Sequence, residues 1–230
     1  MHYAPQVSQG LRAADASTDA LWKTYRWMTL GLALTGVVAL GVASSQAAVE
    51  LVLGNRIVFY GLLFAQLGLV VAFSAAARRA STAVVAGMFF LYAALTGVTF
   101  STLFLVYAAS SIAGVFFVTA GAFAGLSAVG FFTKRDLSAI GRFAIFALIG
   151  LIIASVVNFF LMSSGLQWVV SIAGVLIFGA LTAYDTQKLK EIFASGEASA
   201  NMPLVGALTL YLDFVNMFLF LLRIFGRRRG

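Results

Sequence analysis

Two carboxylates stand inside apolar sequence. Asp185 lies in Gly179-Ala180-Leu181-Thr182-Ala183-Tyr184-Asp185-Thr186-Gln187, and Asp213 lies in Leu210-Tyr211-Leu212-Asp213-Phe214-Val215-Asn216. An acid at membrane depth costs about 2.5–3.5 kcal/mol on insertion scales, so it marks function by default. Two carboxylates brought close share one proton and titrate as a pair. An arginine joining them pairs with the charged form, and such a group of three is a proton-controlled latch. Asp213 has no basic residue one helical turn away on either side, and Thr209 and Asn216 place polar groups on its face. Asp185 has Lys188 three residues on, which leaves a plainer reading open, an interfacial carboxylate paired with an ammonium.

The elements that carry these acids follow from composition. Of 230 residues, 62% are hydrophobic, against about 45–50% in ordinary soluble domains, with 15 Lys or Arg and only 8 Asp or Glu. Too few polar side chains remain to cover a soluble core. Charge-poor runs at 27–49, 57–77, 80–133, 143–184 and 204–225 give the spans. Crossing takes about 20 apolar residues. The third and fourth runs are therefore two helices each, broken at Tyr107-Ala108-Ala109-Ser110-Ser111 and Ser163-Ser164-Gly165-Leu166-Gln167. The expectation is an all-α membrane protein with seven transmembrane helices in one domain, 27–225. A polar, mobile tail at 1–26 precedes it, and a basic tail at 226–230 follows. Gly121 and Gly125 form a small-xxx-small spacing that is read as helix packing within the chain or as chance.

Seven spans put the N-terminal tail and the loops at 78–82, 134–142 and 188–203 on one face. That face holds Arg12, Lys23, Arg26, Arg78, Arg79, Lys134, Arg135, Arg142, Lys188 and Lys190. The other holds Arg56, Arg223 and Arg227-Arg228-Arg229, so the positive-inside rule places the N-terminus in the cytoplasm. A last segment that dipped in and returned would gather nearly all the basic residues on one face. Seven full spans is the reading adopted.

Thr182-Ala183-Tyr184-Asp185-Thr186-Gln187-Lys188-Leu189-Lys190 resembles the signature of the Bax inhibitor-1 family. So do Ala207 to Asn216, Leu221-Leu222-Arg223-Ile224-Phe225-Gly226, Leu95-Thr96-Gly97-Val98-Thr99 and Thr133-Lys134-Arg135-Asp136-Leu137. The similarity covers roughly residues 20–229 and is greatest to the bacterial inner-membrane, YbhL-like branch. The resemblance implies two three-helix layers around a central C-terminal helix. It also implies a pH-sensitive calcium leak gated by Asp185 and Asp213, with an arginine at the end of helix two, Arg79 or Arg78. Gln66 departs from the pattern, because many relatives have glutamate there.

With calcium as the permeant ion, Asp185, Asp213, Asn158, Asn216, hydroxyls and water form only a weak, transient site. A tight one needs about six to eight oxygens, and a tightly held ion does not leave. Asn158 equally suits an interhelical hydrogen bond. No tightly bound cofactor is expected. The only histidine is His2 and cysteine is absent, which removes Ser–His dyads and histidine metal sites within the membrane. An intramembrane aspartyl protease also pairs two aspartates on successive helices. The Leu210-Tyr211-Leu212-Asp213 context lacks the glycines of that class, and the only prolines are Pro5 and Pro203. A non-enzyme is therefore expected. The partners expected are the lipid bilayer and calcium ions. Membrane proteins such as a membrane protease enter only in an alternative reading, a regulator that binds them. A net charge of +7 reflects topology signals and a lipid-facing arginine tail, with no nucleic-acid partner.

Overall fold

The computed structural model describes residues 4–196 and 198–229, with side chains from Ser17 onward except Leu53. Its helices are α1 (Ala4–Ala43), α2 (Gln46–Leu53), α3 (Arg56–Ala76), α4 (Thr82–Phe100), the short α5 (Leu103–Val106), α6 (Ala109–Phe132), α7 (Ser138–Leu161), α8 (Ser164–Ala194) and α9 (Met202–Phe225). Seven stretches among the described residues are long and apolar enough to cross a membrane: Ser17–Ala43, Arg56–Ala76, Thr82–Val106, Ala109–Phe132, Ser138–Leu161, Ser164–Ala194 and Met202–Phe225. The all-helical, seven-span fold is the one expected. Hydrocarbon offers backbone groups no partner, so each span must satisfy its own. The hydroxyls do likewise: Thr35, Thr119 and Thr182 donate to the carbonyls of Gly31, Val115 and Phe178 at 2.8–2.9 Å.

Boundaries differ from the sequence reading in three places. Helix α1 already runs from Ala4, where a mobile polar tail is expected. Its membrane-crossing stretch stops at Ala43 instead of continuing to residue 49. Two serines end it, because Ser44 Oγ donates to Gly41 O at 2.8 Å and Ser45 Oγ accepts from Ala48 N at 3.3 Å as the N-cap of α2. Helix α8 continues to Ala194, so Lys188 and Lys190 lie on a helix, not in a loop.

The chain forms two compact units. The first comprises residues up to Val106 together with Lys190–Leu208. In it α1 packs along α4, and α4 along α3. Thr35 Oγ1 lies 2.9 Å from Ala93 O across the α1–α4 seam, and the Trp27 and Phe90 ring centroids are 5.6 Å apart.

The second unit comprises Tyr107–Leu189 and the segment from Thr209. Phe214 of α9 meets Phe116 and Phe123 of α6 at ring-centroid distances of 5.3 and 5.5 Å, and Phe178 of α8 stacks on Phe220 of α9 at 6.0 Å. Among the seven crossing stretches α9 is the most enclosed, with 67% of its most apolar window buried against 6% for α3. Helix α7 turns Phe143, Phe146, Phe159 and Phe160 outward, which suits a surface bathed in acyl chains. After Phe225 the chain bonds back: Ala108 N donates to Arg227 O at 3.0 Å, Arg227 N donates to Ser111 Oγ at 2.9 Å, and Tyr107 and Arg228 form an antiparallel bridge. A dipping last segment is thus replaced by one uninterrupted helix, Met202–Phe225. At Gly121 and Gly125 an added Cβ would find nothing within 4 Å among the described residues, so neither glycine makes room for one of them.

Candidate functional site

Asp185 and Asp213 come together in the second unit, their carboxyl groups in hydrogen-bond contact. The two acids lie at similar depth because α8 is longer than its apolar run. Asp185 lies nine residues before the end of α8 at Ala194, and Asp213 eleven after the start of α9 at Met202. At 1.5 Å per residue these are roughly 14 and 17 Å. Asp213 is 5% exposed, and its Oδ2 has no hydrogen-bond partner among the described residues. Lys188 lies with Nζ 5.5 Å from the centroid of the Tyr184 ring, exposed, near enough for its charge to act on Asp185.

Two glycines let the segment before Asp185 sit where it does. A Cβ on Gly130 of α6 would run into the backbone of Ala183, and one on Gly141 of α7 would enter the Tyr184 ring. No larger residue fits at either position without moving α8.

A cleft of about 490 Å³ opens among α7, α8 and α9. Thr209, Asp213 and Asn216 form a polar stripe along α9, Ser155 of α7 adds a hydroxyl that donates to Leu151 O, and Leu151, Ile152, Phe178 and Leu181 are among the apolar walls. Asn216 therefore shares the cleft with Asp213, its Nδ2 donating to Leu212 O at 2.8 Å. Asn158 does not line it. Its Oδ1 accepts from Ser163 N at 3.1 Å and its carbonyl from Met162 N at 2.8 Å, which closes the end of α7 where Met162 turns left-handed at φ 49°. That local role replaces the interhelical bond considered for it.

Gln66 lies in the first unit and spends both ends of its amide on α4. Its Nε2 donates to Thr99 Oγ1 at 2.8 Å, and its Oε1 accepts from Thr96 Oγ1 at 3.2 Å. Arg78 and Arg79 occupy the α3–α4 turn of the same unit, both exposed, beside a hollow of about 380 Å³ that they line with Ser74 and Ala75. Asn201 pins that turn by donating through Nδ2 to Ala77 O at 3.1 Å and Ala80 O at 3.0 Å.

Gln187 has a comparable function in the second unit. Its Oε1 accepts from Leu137 N at 2.8 Å and its Nε2 donates to Arg135 O at 2.9 Å, so one side chain holds the α6–α7 loop. Within that loop Asp136 accepts from the Ser138 hydroxyl and, at 2.8 Å, from Ser138 N. These bonds, with the Arg142 charge nearby, hold its carboxyl below the ordinary aspartate value. Neither Gln187 nor Asn201 is marked as a site by sequence. Gln187 falls within the signature around Asp185, and Asn201 stands just before α9.

Among the described residues no three His, Cys, Asp or Glu cluster as metal ligands. The pair with Asn216 offers oxygens, but too few for a tight calcium site.

The family model described as inhibitor of apoptosis-promoting Bax1 matches residues 18–230. Inner membrane protein YbhL of Escherichia coli (strain K12) is 50% identical over 212 residues, covering 90% of this chain and 91% of its own. An uncharacterized protein of Deinococcus radiodurans is 46% identical over 216 residues, covering 93% and 92%. One from Borreliella burgdorferi is 42% identical over 214 residues, covering 91% and 92%.

Proposed function

The chain belongs to the Bax inhibitor-1 family of membrane proteins, and from that premise we propose that it is a pH-sensitive passive leak for calcium in a bacterial inner membrane, with its N-terminus in the cytoplasm. The observation that best supports this reading is the contact between the Asp185 and Asp213 carboxyls. Two carboxyl groups bond to each other only through a proton. Remove it, and two negative charges face each other, so the pair must part or take up a cation. Either outcome shifts the balance between closed and open arrangements. The arginine of the latch is Arg79 or Arg78. Calcium is cargo, held weakly by Asp185, Asp213, Asn216 and water and then released. Gln66, with both amide ends engaged, contributes to the helix seam more than to the ion. No residue acts as a catalyst in this reading.

The test is calcium entry into proteoliposomes across a pH series for wild type, Asp185→Asn and Asp213→Asn, with Arg78→Ala and Arg79→Ala alongside. Both asparagine variants are expected to lose the pH dependence, and one arginine variant to shift it. An unchanged profile in both asparagine variants removes the latch. Absence of flux together with cleavage of a membrane peptide replaces the leak with a protease.

A further inference from the structure

The cleft beside Asp213 has properties that a leak does not require. Its volume of about 490 Å³ falls within the roughly 300–1,000 Å³ of small-molecule sites. Asp213 is its only ionisable lining residue, and that carboxyl has a buried oxygen, Oδ2, without a partner among the described residues. A buried acceptor with nothing to accept is costly, and a donor brought by a ligand relieves that cost. Asn216, whose Nδ2 donates to Leu212 O, forms no hydrogen bond to that oxygen. The remaining walls are largely hydrocarbon, with Ile152 and Val156 exposed at the rim.

We propose that this cleft binds an amphiphilic primary amine, its ammonium donating to Asp213 and its alkyl chain lying along Leu151, Ile152 and Phe178. Charge complementarity selects the class. A fatty acid would bring a third carboxyl to a site that already holds two, and a neutral alcohol offers a donor without the charge. A phospholipid ammonium carries a phosphate close behind it, and no lysine or arginine lines the cleft to receive one. The inference shares Asp213 with the proposed latch but does not depend on ion passage.

The test uses the full chain in phosphatidylcholine nanodiscs and dodecylamine bearing a terminal diazirine, with the labelled residues mapped by mass spectrometry. Label is expected on α7 between Leu148 and Val156. Excess dodecylamine should suppress it and dodecanol should not. Asp213→Asn and Ile152→Trp should each lower it by roughly tenfold, the loss expected for one charge-assisted contact or a filled cleft. Ile152→Trp keeps both aspartates and decides the matter if Asp213→Asn misfolds. Equal suppression by dodecanol, or unchanged labelling in both variants, overturns the proposal. So does suppression by phosphatidylethanolamine discs, which would assign the site to a lipid headgroup. The readout is a crosslink, so failure of the amine site and failure of the leak are seen separately.

Discussion

Gln187 and Asp136 secure the same few residues by different means. Replacing Gln187 with leucine leaves Leu137 N–H and Arg135 C=O without their partner. The expected loss is about 1–3 kcal/mol, read as a lower melting temperature in detergent. Asp136 is fully exposed, and its effect is read by titration. Its folded pKa lies below the unfolded value of about 3.9, so its contribution is complete above that value. The contribution disappears as pH falls through the folded midpoint. Carboxyl NMR should find that midpoint below the ordinary aspartate value, and Ser138→Ala should move it back up. The two membrane aspartates could be found in the sequence because a carboxylate in an apolar run is conspicuous. The bonds of Gln187 and Asn201 could not, because an amide has the same appearance in a sequence whether it binds a neighbouring carbonyl or water.

At the level of helices, the packing of α8 decides where Asp185 sits. Gly130 and Gly141 admit the Ala183-Tyr184 segment from two sides. Alanine at either position must push α8 aside, at about 1–3 kcal/mol of overpacking. Under the leak reading each variant should also shift the pH response of calcium entry, although neither residue titrates. A melting shift with an untouched pH profile would limit these glycines to packing. Helix positions were legible because charges end the spans, and the breaks near residues 107–111 and 163–167 follow from the limited thickness of the bilayer. Helix ends were less so. The charge-poor run before Asp185 stops at Tyr184, but the helix continues to Ala194 because Lys188 and Lys190 do not interrupt it. The first span stops short of its run because serine hydroxyls compete for the backbone. The small-residue pair at Gly121 and Gly125 misleads because glycine spacing does not report what lies opposite.

For the molecule in its bilayer, the seven spans make a prediction about sides. The described α6–α7 loop and the Arg227-Arg228-Arg229 segment are separated by α7, α8 and α9. The chain has no cysteine, so Lys134→Cys and Arg228→Cys introduce unique thiols. A membrane-impermeant maleimide applied to one side should label one variant and spare the other. Labelling of both from the same side would remove one of these crossings. The all-helical class and span count could be read from composition, since nothing but a bilayer accommodates so much hydrocarbon. The stitch between Tyr107-Ala108 and Arg227-Arg228 could not, because backbone bonds carry no side-chain signature. That stitch bears on the order of assembly during synthesis. Arg227 and Ser111 are 116 residues apart, which is roughly 6–23 s of translation at about 5–20 residues per second. Throughout that interval the entry turn of α6 lacks these bonds, which form only once Arg227 has been made.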